Sequence, residues 1–235
     1  MISGVLFDLD GTLLDIELDS FLSRYFSVLG PVVAEVLEHE PDDPTGLRAV
    51  IAATETMASS HAEQTNREAF NAHFHRITGV DLSAKRHAEA LDAFYADVFP
   101  GLQGEATAHH GAVNVIETAM ELGIKVAIAT NPIFPMSAVR ERMRWAGIDH
   151  LDIPVVTAYE TMYATKPHGA YFLQTAGLLG VDPAECVMVG DDRSLDMPAA
   201  DIGMRTFYVG PQPVPACDWS GTLSDLASLL RRLAD

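Results

Sequence analysis

Two rhythms of apolar and polar positions divide the chain. From about residue 16 to residue 97 the apolar residues recur every three to four positions. In DSFLSRYFSVL, behind an Asp19/Ser20 start, they are Phe21, Leu22, Tyr25, Phe26 and Leu29. LRAVIAATETMASSHA, NREAFNAHFHRITG and SAKRHAEALDAFYADVF repeat this spacing. The pattern predicts a compact helical bundle of about four elements. Gly30-Pro31 is expected to break or kink the first helix before VVAEVL, and EPDDPTG at 40–46 reads as a loop. Gly79 should end the third helix as a C-terminal cap.

From about residue 105 the pattern changes. AVNVIETAMELG, SAVRERMRWAG, GAYFLQTAGLLG and LSDLASLLRRLAD read as helices and LDMPAADIGM as a short one; KVAIAT, IPVVTAY, CVMVGD and TFYVG read as strands. The strands are short and apolar without polar alternation, which predicts a parallel sheet covered on both faces. The opening run VLFD belongs with them by composition. The expected fold is therefore α/β: a Rossmann-like, doubly wound core built from residues 1–15 and 100–235, with an all-helical domain inserted at 16–99.

Composition narrows the function classes. The chain has 235 residues, 48% of them hydrophobic, enough for a full core. A net charge of −18 argues against a duplex nucleic-acid binder, since backbone binding is driven by Lys and Arg. No apolar stretch reaches the roughly 18 residues of a membrane span, and the N-terminus shows no basic region with a cleavage site, so a cytoplasmic protein is expected. Cys186 and Cys217 belong to no metal-spaced cluster and suit a reducing compartment.

Candidate chemistry sits at the strand ends, where open parallel sheets bind ligands. The first strand ends in Asp8-Leu9-Asp10-Gly11-Thr12, the second in Thr130-Asn131, and a later one in Gly190-Asp191-Asp192, with Asp196 five positions past Asp191. Lys166, one of three lysines, lies in TKPHG just before a helix. Ionised carboxylates at the end of a buried strand are costly unless paired or bound to a metal. The spacing of Asp8 and Asp10 places both on one face of an extended strand. Gly11 permits a tight turn and close backbone approach, and Thr12 reads as a brace for that turn.

These residues, in this order, resemble the haloacid dehalogenase-like hydrolase superfamily over essentially the whole chain: DxDGT at 8–12, a strand ending in Thr130, Lys166-Pro167, and GDxxxxD at 190–196. The resemblance implies that Asp8 attacks a phosphoryl group to form an aspartyl-phosphate, while Asp10 acts as general acid and then general base. It implies Mg²⁺ held by Asp8, Asp191 and the Asp10 carbonyl, with Asp192 or Asp196 binding directly or through water. Lys166 would offset charge, and Thr130 with Asn131 would hold the phosphoryl oxygens. Asp10 argues against dehalogenation, since a halide leaving group needs no acid. The insertion resembles this superfamily's helical cap, a lid with hinges near 15–19 and 97–104.

The expected function is a Mg²⁺-dependent phosphatase acting on a small soluble phosphomonoester. A sugar phosphomutase using the same aspartyl-phosphate and a noncatalytic binding protein on the same fold stay open, as does the choice between monomer and homodimer. Tyr25, Asn66, Arg67, Asn71, Arg76 and Arg86 are candidates for substrate contact or bundle surface. His73 and His75 do not share a helix face as a metal pair would. His109, His110 and His168 read as exposed loop residues, and Phe70, Phe74, Phe94, Tyr95 and Phe99 as bundle core.

Overall fold

The computed structural model describes residues 1–58, 63–210 and 217–234. Within them, β1 (Gly4–Phe7), β4 (Lys125–Ile128), β5 (Val155–Val156), β6 (Cys186–Gly190), β7 (Arg205–Val209) and β8 (Trp219–Gly221) form one sheet in the order β5-β4-β1-β6-β7-β8. Every described pairing in it is parallel. β1 lies centrally, with Phe7 opposite Ile128 on one side and Val189 on the other. Its unbroken apolar run suits a strand buried on both faces. Val5 and Phe7 point into the larger core with α5 (Ala112–Glu121), α6 (Met136–Trp145) and α8 (Leu223–Ala234), whereas Leu6 joins α7 (Gly169–Leu179) on the opposite face. The doubly wound α/β expectation is met.

The chain leaves the sheet domain through β2 (Leu14–Asp15) and returns through β3 (Thr107–Ala108). These pair antiparallel, Leu14 opposite Ala108, and tie the two crossings together. Two-residue strands have no periodicity to read, and the sequence did not predict them. Between them lie α1 (Leu18–Val36), α2 (Thr45–Met57), α3 (Asn66–Thr78) and α4 (Lys85–Ala93), then a π turn at Phe94–Val98 and a 3-10 turn at Phe99–Leu102.

α1 runs through Pro31, so the break, one of the two outcomes expected at Gly30-Pro31, does not occur. Pro31 sits on the exposed face. The buried stripe continues on both sides of it, Phe21, Tyr25 and Leu29 before and Val33, Ala34 and Val36 after. Gly79 caps α3 in the left-handed conformation at φ 76°, as expected. The start of α3 is fixed by a capping box in which Thr65 and Glu68 exchange side-chain-to-backbone bonds. The IPVVTAY strand shrinks to Val155–Val156, LDMPAADI forms a 3-10 turn at Met197–Ile202, and β8 was not read from sequence at all.

Candidate active site

The central strand stops at Phe7, so Asp8 begins the turn at the carboxyl edge of the sheet, its N–H donating to Val189 O at 2.8 Å. Leu9 O then accepts from the N–H groups of Thr12, Leu13 and Leu14, curling the chain back on itself. The curl begins past Asp10, and Asp8 and Asp10 both line the one cleft at the sheet edge. The two carboxylates take different partners.

Asp8 Oδ1 accepts from Lys166 Nζ at 2.7 Å, and the same ammonium donates to Asp196 Oδ1 at 2.5 Å. All three are buried. Although burial alone would discharge it, the two carboxylates hold the Lys166 ammonium well above its usual range. Asp196 is pushed up by burial and by Asp8, against the pull of Lys166. Asp191 joins this group: ligand-capable oxygens of Asp8, Asp191 and Asp196 lie within 4.8 Å of one another. Burial, with the charge of Asp8 beside it, pushes the Asp191 carboxyl up to about 6. An all-oxygen donor set of this charge fits a hard divalent cation.

Two glycines make room for it. A side chain at Gly11, which has φ +81°, would collide with the Asp191 carboxylate, and one at Gly190 would collide with that of Asp196. Thr12 does brace the site: its hydroxyl donates to Asp191 Oδ1 at 2.9 Å. Asp192, one of the two candidates for supporting the metal, spends its Oδ1 on the N–H and hydroxyl of Ser194 and the N–H of Leu195. Burial pushes its carboxyl up, but these bonds outweigh that and hold it low. Asp196 is the residue that the structure brings into the cluster.

Thr130 and Asn131 reach the cleft from the end of β4. The Thr130 carbonyl accepts from Thr157 Oγ1 at 2.7 Å and Tyr171 Oη at 2.9 Å, which fixes this turn. Asn131 Oδ1 accepts from the Lys166 N–H at 3.2 Å, coupling the turn to the lysine loop.

Asp10 pairs instead with Arg142 of α6, a residue that the sequence reading missed. The arginine side chain is 1% exposed and its guanidinium lies 4.6 Å from the centroid of Phe134. Burial raises the Asp10 carboxyl and Arg142 opposes the rise. Asp10 Oδ1 and Arg142 Nη2 are buried without a hydrogen-bond partner. The signal was present: Arg142 follows Ala138 by four positions on the stripe that also carries Val139, Met143 and Trp145.

The cleft enclosing these groups measures about 230 Å³ and has an apolar wall of Ile16, Leu18, Leu22, Ile133, Phe134 and Leu195. None of the six cap candidates lines it among the described residues. Asn66 is fully buried and docks the cap on the core, its Nδ2 donating to Pro132 O at 3.1 Å and Ala164 O at 3.2 Å. The Arg67 N–H donates to Tyr159 O, Arg76 bonds His73, and Arg86 pairs with Glu38 at the surface. His110 and His168 are exposed and His109 half-buried.

Residues 2–201 match the family model described as haloacid dehalogenase-like hydrolase. The chain belongs to this family. It is similar to a phosphoglycolate phosphatase of Xanthomonas campestris pv. campestris, 28% identical over 94% of this chain and 86% of that one. A haloacid dehalogenase-like hydrolase domain-containing protein 3 of Xenopus laevis is 31% identical over 50% of this chain and 49% of its own. Among solved structures, an HAD phosphatase from Thermococcus onnurineus superposes with a TM-score of 0.60 at 22% identity, covering 97% of this chain and 98% of the other. That likeness shows the fold. The expected assignment to an enzyme, a phosphohydrolase of this family, stands with these relatives. Among the described residues no helix is long and apolar enough to cross a membrane.

Proposed function

We propose that this haloacid dehalogenase-like hydrolase is a Mg²⁺-dependent phosphatase that hydrolyses a small phosphomonoester in the cytoplasm through a phosphorylated Asp8. Residues 1–15 and 100–235 serve as the catalytic core and 16–99 as its cap. The observation that carries this reading is the single ammonium of Lys166 bonded to both Asp8 and Asp196, with Asp191 beside them at the sheet edge.

In the first step Asp8 forms a bond to phosphorus as the ester P–O bond breaks, and Asp10 gives its proton to the departing alkoxide. In the second, Asp10 takes a proton from the water that attacks phosphorus, releasing phosphate and restoring Asp8. Lys166 keeps the Asp8 carboxylate fixed, and Thr130 and Asn131 bind phosphoryl oxygens. A cation held by Asp8, Asp191 and the Asp10 carbonyl, with Asp196 supporting, would supply the positive charge that draws an anionic phosphoryl group to an anionic nucleophile. The phosphoglycolate phosphatase relatives support a small substrate.

The test is phosphate release from p-nitrophenyl phosphate and short alkyl phosphates, with and without Mg²⁺, for the wild type and Asp8→Asn. Release that needs Mg²⁺ and is lost in the variant is expected. A phosphorylated Asp8 that persists with little release would move the assignment to a phosphomutase. Neither phosphorylation nor release, from folded protein, would leave a binding protein.

A further inference from the structure

Beside the cleft lies a second cavity, of about 60 Å³, formed where the cap helices meet the core loops. Core residues Ile133, Pro135 and Tyr159 close one side, and α1, α2, α3, Leu82 of the connection to α4, and the segment from α4 into the π turn supply the rest. Ile133 lines both this cavity and the cleft. Phe134 of the cleft wall stands 5.3 Å, ring to ring, from Tyr25 of the cavity wall. The partition is thus one side chain thick. Phe70 and Tyr95, expected as bundle core, are half-buried, packing against that core and lining this cavity.

The walls specify what they accept. No lining residue is charged, although the chain carries a net charge of −18 and the neighbouring cleft is crowded with carboxylates. Most of the polar side chains are already engaged, the Tyr25 and Tyr95 hydroxyls with each other at 2.8 Å and Thr54 Oγ1 with Val50 O at 2.9 Å, and the Tyr159 phenol is the other hydroxyl on the wall. Burial pushes the Tyr25 phenol up to about 12 against the pull of its bond to Tyr95, so it stays neutral. A carboxylate entering here would lose its water and meet no cation, whereas a hydrocarbon loses nothing. Pockets at domain boundaries of this kind are where ligands bind.

We propose that this cavity is the leaving-group subsite, and that the substrate is the phosphate ester of an alcohol with a short apolar chain, seated past Ile133. The proposal rests on the phosphatase reading.

The test measures kcat/KM, with Mg²⁺, for methyl, ethyl, propyl and butyl phosphate and for 2-phosphoglycolate. Each methylene buried should raise kcat/KM about fourfold until the cavity is full, and 2-phosphoglycolate should fall below propyl phosphate. Thr54→Phe, which fills the cavity away from the reacting atoms, should flatten the series. Inhibition of the wild type by methyl- and butylphosphonate gives the same increments without any variant. A flat series in an active enzyme, a preference for 2-phosphoglycolate, or a slope unchanged in folded Thr54→Phe overturns the subsite alone. No hydrolysis of any ester and no phosphonate binding overturns the phosphatase reading and the subsite together.

Discussion

Arg142 holds Asp10 from a helix that reaches the site only through tertiary packing. Its side chain is 1% exposed, that of Asp10 is 18% exposed, and Phe134 covers the guanidinium. Methionine at 142 keeps an apolar stem and removes the charge, so the Asp10 carboxyl loses the group that fixes its orientation. Breaking a buried pair costs about 3–5 kcal/mol. The lower end applies here, because burial already pushes the Asp10 carboxyl up and protonation relieves the unpaired charge. The catalytic cost depends on the leaving group. An alkoxide must be protonated as it departs, and a positioned acid contributes about 10²–10⁴-fold; p-nitrophenolate departs without a proton. kcat/KM reports steps only through phosphorylation of Asp8, so the later role of Asp10 as base does not enter. Arg142→Met should therefore lower kcat/KM about 100-fold for ethyl phosphate and about threefold or less for p-nitrophenyl phosphate. Asp10→Asn should show the same selectivity, the double variant should lose little more, and Arg142→Lys should recover part of the loss. Equal losses on both esters in folded Arg142→Met, with Asp10→Asn still selective, would refute the positioning role.

Four further outcomes follow from the same contacts. Thr12→Val removes the bond to Asp191 Oδ1 and should weaken divalent-cation binding about tenfold by titration calorimetry; unchanged affinity would count against Asp191 as a ligand. Asn66→Ala removes the two bonds to Pro132 and Ala164 carbonyls and should cost about 1–3 kcal/mol in urea unfolding, while no loss would show that the Asn66 backbone bond to Met162 O suffices for docking. Gly190→Ala puts a methyl where the Asp196 carboxylate lies, and a displacement on the order of 1 Å at the Lys166 pair should cost about 100-fold in kcat; near-normal turnover would place Asp196 outside the working site. Mg²⁺ at about 100 times its Kd should stabilise the wild type by about 2.7 kcal/mol and Asp191→Asn much less, and an unmoved wild-type unfolding midpoint would argue against the cation site.

The candidate site was legible because a parallel sheet gathers successive strand ends at one place: Asp8, Thr130 and Asp191 each follow an unbroken apolar run, so their order along the chain already implied their convergence. What escaped depended on where a side chain turns. Asp192 adjoins Asp191 yet faces its own turn, while Asp196, one turn later, comes back beneath Gly190. Pro31 reads as a breaker because propensity ignores which face of a helix meets solvent. Arg142 reads as surface because arginines usually are, and the net charge of −18 carries no word of local balance. That balance is what the fold sets. Lys166 serves Asp8 and Asp196, and Arg142 serves Asp10. Asp191 is left with a threonine hydroxyl and a carboxyl pushed up to about 6. When all four are ionised, the carboxylates of Asp8, Asp10, Asp191 and Asp196 exceed these two buried cations by two negative charges, which one divalent cation would offset. A cation there would offset the Asp8 and Asp191 carboxylates, while Asp10, whose carboxyl burial raises, carries the proton it gives to the leaving group, and the cleft could admit a phosphoryl group that would otherwise meet an excess of like charge.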